Sequence, residues 1–160
     1  MAKQIIPVIG VFYDETDFVD DWIRCVLSQN TNELDVAPII VANYHKTESA
    51  RIRDSVLRLR DDTGQTINLV PLNTNDGHSH AFNRGLDFVN QEISHAKWIT
   101  SLDPDARLGK NSIQSMLDRT REVKSCGMVT PIVLRCEKEQ NALAKCWTVQ
   151  TDPDSIVLHA

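Results

Sequence analysis

The stretch Lys97-Trp98-Ile99-Thr100-Ser101-Leu102-Asp103-Pro104-Asp105-Ala106-Arg107-Leu108 closes an apolar run with two acids separated by one proline. The run reads as a buried strand near 98–102. Pro104 stops it, because its ring carries no N–H for a ladder, and biases Asp103 toward extended geometry. Positions two apart in an extended segment project to the same side. Both carboxylates are therefore expected to face one point just beyond the strand end. Two like charges so close repel, and a cation between them reverses the sign of that interaction. Paired carboxylate oxygens suit a hard divalent ion, Mg²⁺ or Mn²⁺, which completes its shell with water and phosphate oxygens. The plainer alternative is a solvated turn bearing two surface acids. Its place directly after a strand favours the metal reading.

Outward from this stretch, strand and helix alternate. Strand candidates are Ile5–Phe12, Pro38–Ala42, Thr66–Val70 and Gly127–Leu134, with two short further ones at 145–149 and 155–158. Between them lie four helical patterns. The first carries Phe18, Trp22, Cys25 and Val26 on one face, with Thr16 or Asp17 placed to cap it; Trp22 reads as core. The second starts at about Glu48 and carries Ile52, Val56 and Leu59. Its Arg51, Arg53, Arg58 and Arg60 read as a solvated face, since Asp54 pairs with Arg58 at i,i+4 and Asp61-Asp62 follows. The third carries Phe82, Leu86, Val89 and Ile93, and the fourth Ile113, Met116, Leu117 and Thr120. This order predicts an α/β fold, a mainly parallel sheet with helices on both faces. Ligands of such sheets bind at the carboxyl ends of the strands, near the switch in strand order. That rule gathers four loops on one rim: 12–17, 43–47, 72–79 and 103–107.

Composition narrows the function. The 160 residues suit a single domain of ordinary size, and 41% hydrophobic with 24% charged residues is globular. A formal net charge of −5 without a long basic stripe argues against a nucleic-acid partner. The start reads straight into strand-like sequence, without a signal peptide, and no apolar run is long enough for a transmembrane segment. The expectation is a cytoplasmic protein, with peripheral association at the cytoplasmic face of a membrane compatible with it. Cys25, Cys126, Cys136 and Cys146 form no Cys-x-x-Cys pair, so they read as free thiols serving as small buried hydrophobes rather than zinc ligands.

The loop after the third strand reads Asn73-Thr74-Asn75-Asp76-Gly77-His78-Ser79-His80 and leads into Ala81-Phe82-Asn83-Arg84-Gly85. Gly77 is expected to take a positive φ just before a helix start, where free backbone N–H groups favour an anion. Ala81 and Gly85, four apart, let that helix approach the sheet closely. Asn83 can both donate and accept. The bland reading of Asn75 and Gly77 is a turn, and of His78 and His80 two incidental loop histidines without a metal role.

Taken together, Asn75-x-Gly77-x-x-x-Ala81-x-Asn83-x-Gly85 and Trp98-Ile99 through Leu102-Asp103-x-Asp105 resemble the family 2 glycosyltransferases of the GT-A fold. The first strand is similar too: Tyr13 and Glu15 match the family's Pro-Thr-Tyr-Asn-Glu type turn, and Val11, Phe12 and Asp14 depart from it. The resemblance covers roughly residues 5–133. It implies a Rossmann-like nucleotide-sugar-binding core there, with 134–160 a short acceptor-side part of the same domain. It implies a metal-dependent, inverting transfer of a sugar from a UDP- or dTDP-sugar to a hydroxyl acceptor, either a glycan, a lipid-linked molecule or another alcohol. It puts Asp105 first as metal ligand, and Asp103 on ribose or metal. Phe12, Tyr13, Asp14 and Glu15 would border the nucleoside, with Asn43, Asn75, Gly77 and Asn83 completing the donor site. Ala42 and Asn43 stand where the family has an acidic pair reading the base. Asp152-Pro153-Asp154 reads as a terminal turn, and no catalytic base is assigned. The alternative is a glycosyltransferase-like module that binds nucleotide or a partner without catalysis. A dinucleotide oxidoreductase fits poorly, since no Gly-x-Gly-x-x-Gly follows the first strand.

Overall fold

The computed structural model describes residues 4–13, 16–31, 34–43, 46–93, 96–123 and 126–129. The chain divides into two compact units, Met1–Gln114 and Ser115–Ala160. Among the described residues four strands form the sheet: β1 Gln4–Phe12, β2 Leu34–Ala42, β3 Asn68–Pro71 and β4 Thr100–Ser101. Their order is β3-β2-β1-β4, and every pairing is parallel. The helices are α1 Val19–Leu27, α2 Lys46–Thr63, α3 His78–Glu92 and α4 Ser112–Glu122, with a 3₁₀ turn at Thr16–Phe18.

β1 and β2 bury both faces, which is why they read as unbroken apolar runs rather than alternating ones. Each contains a proline, and its place follows from the register. Pro7 and Pro38 lie one residue before the outer neighbours begin, at Val8 opposite Thr100 and at Ile39 opposite Asn68. A missing N–H there breaks no bond to an outer strand. On one face Ile9, Val11, Ile39 and Val41 pack with Ala81 and Val89 of α3. On the other, Trp22 of α1 lies against Gly10 and Phe12. Helices thus cover both faces, as the alternating order predicts.

Several elements differ from the sequence reading. β4 is a two-residue strand paired with β1 alone among the described residues, and Ile99 beside it is 39% exposed. The run 98–102 is therefore not a buried strand; only Leu102 is buried, and its N–H extends the ladder to the Ile9 carbonyl at 3.0 Å. β3 starts two residues later than expected and ends on Pro71, as an edge position permits. α1 is capped by neither Thr16 nor Asp17, because the 3₁₀ turn carries the chain past them and puts its last residue, Phe18, at the N-cap, where it makes no side-chain bond. In α3 the sheet-facing stripe is Ala81, Gly85 and Val89, with Phe82, Leu86 and Ile93 flanking it, half-buried. The large residues dominate the periodicity, whereas the small ones set the closest approach. Cys25 is only half-buried and makes hydrogen bonds, so it is not a plain core hydrophobe.

In the second unit the described part of α4 carries surface pairs, Arg119–Glu122 at 2.6 Å and Arg121–Asp118 at 3.3 Å, each worth little. Cys126 is a free thiol. Of the expected fifth strand, Gly127–Val129 is not strand, and its remainder lies outside the described residues. So do the two later strand candidates, Asp152–Asp154, Cys136 and Cys146.

A Cβ built on Gly85 would stand 2.9 Å from Ile9 Cγ2 and 3.0 Å from Val41 Cγ2. We expect Gly85→Val to lower unfolding stability by about 1–3 kcal/mol through overpacking, read by urea denaturation. An unchanged midpoint would show that α3 does not press on the sheet at this point.

Candidate functional site

All strands being parallel, their carboxyl ends meet on one rim. The order β3-β2-β1-β4 places the switch between β1 and β4. β2 and β4 flank β1, so their ends stand about 10 Å apart at ordinary strand spacing. Among the described residues, two hydrogen-bonded groups occupy this rim.

The first joins the ends of β2 and β3. Asn43 follows β2 directly; its N–H donates to the Phe12 carbonyl at 2.8 Å. Its side chain is nearly buried, 5% of the residue being exposed. The amide Nδ2 donates to Asn75 Oδ1 at 2.9 Å, and the Gly77 N–H donates to the same oxygen at 3.1 Å. This relay fixes which way both amides point. Gly77 N–H can only donate, so Asn75 must offer its oxygen, and Asn43 must then offer its nitrogen. Asn43 Oδ1 is left buried, without a partner among the described residues. Gly77 is the N-cap of α3 with φ +91° and ψ 167°, a combination essentially confined to glycine. The positive φ expected there is present. The loop is closed further by Thr74 Oγ1 donating to Asp76 Oδ2 at 2.7 Å.

The second group follows β4. Asp103 and Asp105 lie in a tight turn, not an extended segment: the Ala106 N–H donates to the Asp103 carbonyl at 3.0 Å. Pro104 occupies the second turn position, where its fixed φ is favoured. The turn thus overrides the extended spacing expected of two acids flanking a proline. Arg107 braces it, Nη1 donating to the Pro104 carbonyl at 2.8 Å and the Ala106 carbonyl at 2.7 Å, with its guanidinium 5.8 Å from the Phe18 ring centre. Both acids are exposed. Among the described residues no three His, Cys, Asp or Glu side chains gather into a metal cluster. Two free carboxylates nevertheless match the protein share of a Mg²⁺-like site, in which phosphate and water supply the other oxygens.

Of the remaining expected residues, Phe12 is fully buried, its ring edge-on to Trp22, so only its main chain reaches the rim. Tyr13 follows β1 directly and is half-exposed. Asn83 is exposed on α3, two residues from both Ala81 and Gly85 and so on the helix side turned from the sheet. Asp14 and Glu15 lie outside the described residues. Sequence reasoning missed Cys25, Gln29 and Arg107. Arg107, three residues beyond Pro104, was the only one with a local signal.

The model of the family described as glycosyl transferase family 2 matches residues 8–152. The teichoic acid poly(glycerol phosphate) polymerase of Staphylococcus epidermidis is 23% identical over 127 residues, 79% of this chain and 16% of that protein. The crystal structure of S. aureus TarS superposes with a TM-score of 0.54 at 16% identity, over 74% of this chain and 20% of that one. A mannosyltransferase of Pyrobaculum calidifontis, solved with GDP-Man and Mn²⁺, superposes with a TM-score of 0.49 at 18% identity, over 67% and 29% of the two chains. The chain therefore spans about a sixth to a fifth of the first two, and TarS supports the fold alone.

The backbone at Gly77 differs from that at Gly64, which has φ +65° just after α2. Asparagine tolerates the left-handed region but not the conformation of Gly77. We expect Gly77→Asn to cost about 1–3 kcal/mol and Gly64→Asn far less, compared by urea denaturation. Equal costs would contradict the strained cap.

Proposed function

Because the chain belongs to glycosyl transferase family 2, we propose a metal-dependent glycosyltransferase of which this chain carries at least the donor-binding part. It moves a sugar from a UDP- or dTDP-sugar to a hydroxyl acceptor, with inversion, and residues 5–133 carry the donor site. The observation behind this reading is the presence of two differently equipped groups on one rim, beside the switch in strand order.

Each group suits one end of a nucleoside diphosphate. Asn43 Oδ1, buried without a partner among the described residues, is an acceptor for an N–H donor, which the imide edge of uracil or thymine provides. Leaving such an acceptor unpaired costs about 1–3 kcal/mol, so a donating base has something to restore. The neutral amide here replaces the acidic pair of the family and keeps its accepting half. Tyr13, just beyond the strand between, borders the ribose, and Asn75 and Gly77 hold the base side; Asn83, turned from the sheet on α3, is left out of this donor site. Asp103 and Asp105 face the diphosphate and carry Mn²⁺ or Mg²⁺. When bound, that ion stabilises the negative charge that develops on the diphosphate as the sugar leaves. Holding the donor this way orients the sugar–phosphate bond toward the acceptor.

The departure at Ala42 and Asn43 favours a second reading, a nucleotide-binding module that does not catalyse transfer. Sugar-nucleotide hydrolysis or transfer by the intact protein separates the two.

Calorimetric titration with UDP tests the donor site. We expect binding with Mn²⁺ or Mg²⁺ and its loss in EDTA. Asp105→Ala is expected to weaken it by at least about tenfold, as loss of a charge-assisted ligand does, and Asp103→Ala less. Equal affinity with and without the metal would refute the metal-dependent reading.

A further inference from the structure

The acid turn is held at both ends by α1, some 80 residues earlier in the chain. At the near end, Trp22 Nε1 donates to the Leu102 carbonyl at 3.3 Å. At the far end, the Leu108 N–H donates to Cys25 Sγ at 3.1 Å, and Cys25 Sγ–H donates to the Leu108 carbonyl at 3.5 Å. Gln29, just beyond the helix, continues the row. Its Nε2 donates to the Gly109 carbonyl at 2.9 Å and the Cys25 carbonyl at 3.4 Å, and its Oε1 accepts from the Ile113 N–H at 3.3 Å. The Asn30 N–H then donates to the Lys110 carbonyl at 2.7 Å. Trp22 and Cys25 are three apart and so project from one side of α1, and Gln29, two residues past its end, continues the row.

Gln29 is the most committed of these groups. A glutamine is rarely buried, yet only 8% of this one is exposed. Its amide uses both ends, satisfying a loop carbonyl and an N–H of the first turn of α4 that has no partner within its helix. Nothing about the sheet requires a polar side chain here. What the amide does is fix Gly109 and Ile113, in the backbone that leaves the Asp103–Arg107 turn, while Asp103 and Asp105 themselves stay exposed.

We propose that Gln29, assisted by Cys25, is a positioning residue for donor binding. It holds the acid turn in its receiving shape before the nucleotide arrives. The binding half of this inference rests on the donor-site reading above; the holding half does not. A turn ordered in advance loses less freedom when ligand binds, so weakening its hold lowers affinity without unfolding the sheet.

The test compares Gln29→Met, Gln29→Glu, Cys25→Ala and Cys25→Ser with the unaltered protein. Three readouts are taken: melting temperature, amide hydrogen exchange, and UDP affinity in Mn²⁺. Methionine keeps length and loses both bonds; glutamate keeps only the acceptor for Ile113. In Gln29→Met we expect faster exchange at Ile113 and Leu108 with Val8 and Ile40 unchanged, and a Kd raised roughly three- to tenfold, the worth of a buried hydrogen bond. Gln29→Glu should fall between, and serves if the methionine variant does not fold. Cys25→Ala should weaken binding, and Cys25→Ser should restore part of it, since a hydroxyl also donates and accepts. Unchanged exchange, or faster exchange with unchanged Kd, overturns the proposal. If the unaltered protein fails to bind UDP, the donor-site reading fails, and exchange alone decides whether Gln29 holds the turn.

Discussion

The buried indole of Trp22 is the contact on which the rest of the first unit depends. It lies on Gly10, where any Cβ would come within 2.7 Å of Cζ2, and its ring stands edge-on to Phe12 with centroids 5.5 Å apart. Its N–H reaches the Leu102 carbonyl. One side chain therefore joins α1, the central strand and the strand that follows the switch in order. A buried indole needs a partner for its N–H, and the carbonyl that supplies it belongs to the residue immediately before Asp103. The packing of the core and the position of the acid turn are set by the same contact.

From that point two devices divide the rim between them. The acid turn is closed internally by its own backbone and by Arg107, and flanked externally by Trp22 and Cys25 of α1. The Asn43–Asn75–Gly77 relay is closed from β2 and the cap of α3. Neither depends on the other among the described residues, so a ligand that spans both would read a distance fixed by the sheet rather than by flexible loops. The helix pair α1 and α2 is clasped separately, by Arg58 on Asp20, whose hydrogen bond and charge hold the guanidinium above its usual pKa. Both groups are substantially exposed, and water screens that pair.

How far the sequence could be read follows from the range of each interaction. The parallel order, the buried Trp22, the positive φ of Gly77 and the close packing of Gly85 all follow from local pattern or from backbone sterics, and the structure has them. The pattern overstates β4, because Trp98 and Ile99 look like core, whereas the ladder engages only Thr100 and Ser101. The extended Asp-Pro-Asp gave way to a turn because proline is equally at home at the second position of one. The stripe of α3 was read from its large residues, although the sheet touches its small ones. Cys25 and Gln29 were invisible as holders of the turn, since their partners lie about 80 residues away and are backbone atoms, which carry no signal in side-chain identity.

The central claim is that the carboxyl rim of the sheet receives a nucleotide together with a divalent ion. Paramagnetic Mn²⁺ broadens the amide resonances around it, so an assigned NMR spectrum titrated with UDP and trace Mn²⁺ locates the ion directly. Selective broadening is expected at Asp103, Asp105 and Ala106, with UDP-dependent shifts at Tyr13, Asn43 and Gly77, and quiet amides at Ile5, Thr31 and Gln65 on the opposite rim. Broadening centred on that opposite rim, or none that depends on UDP, would contradict it.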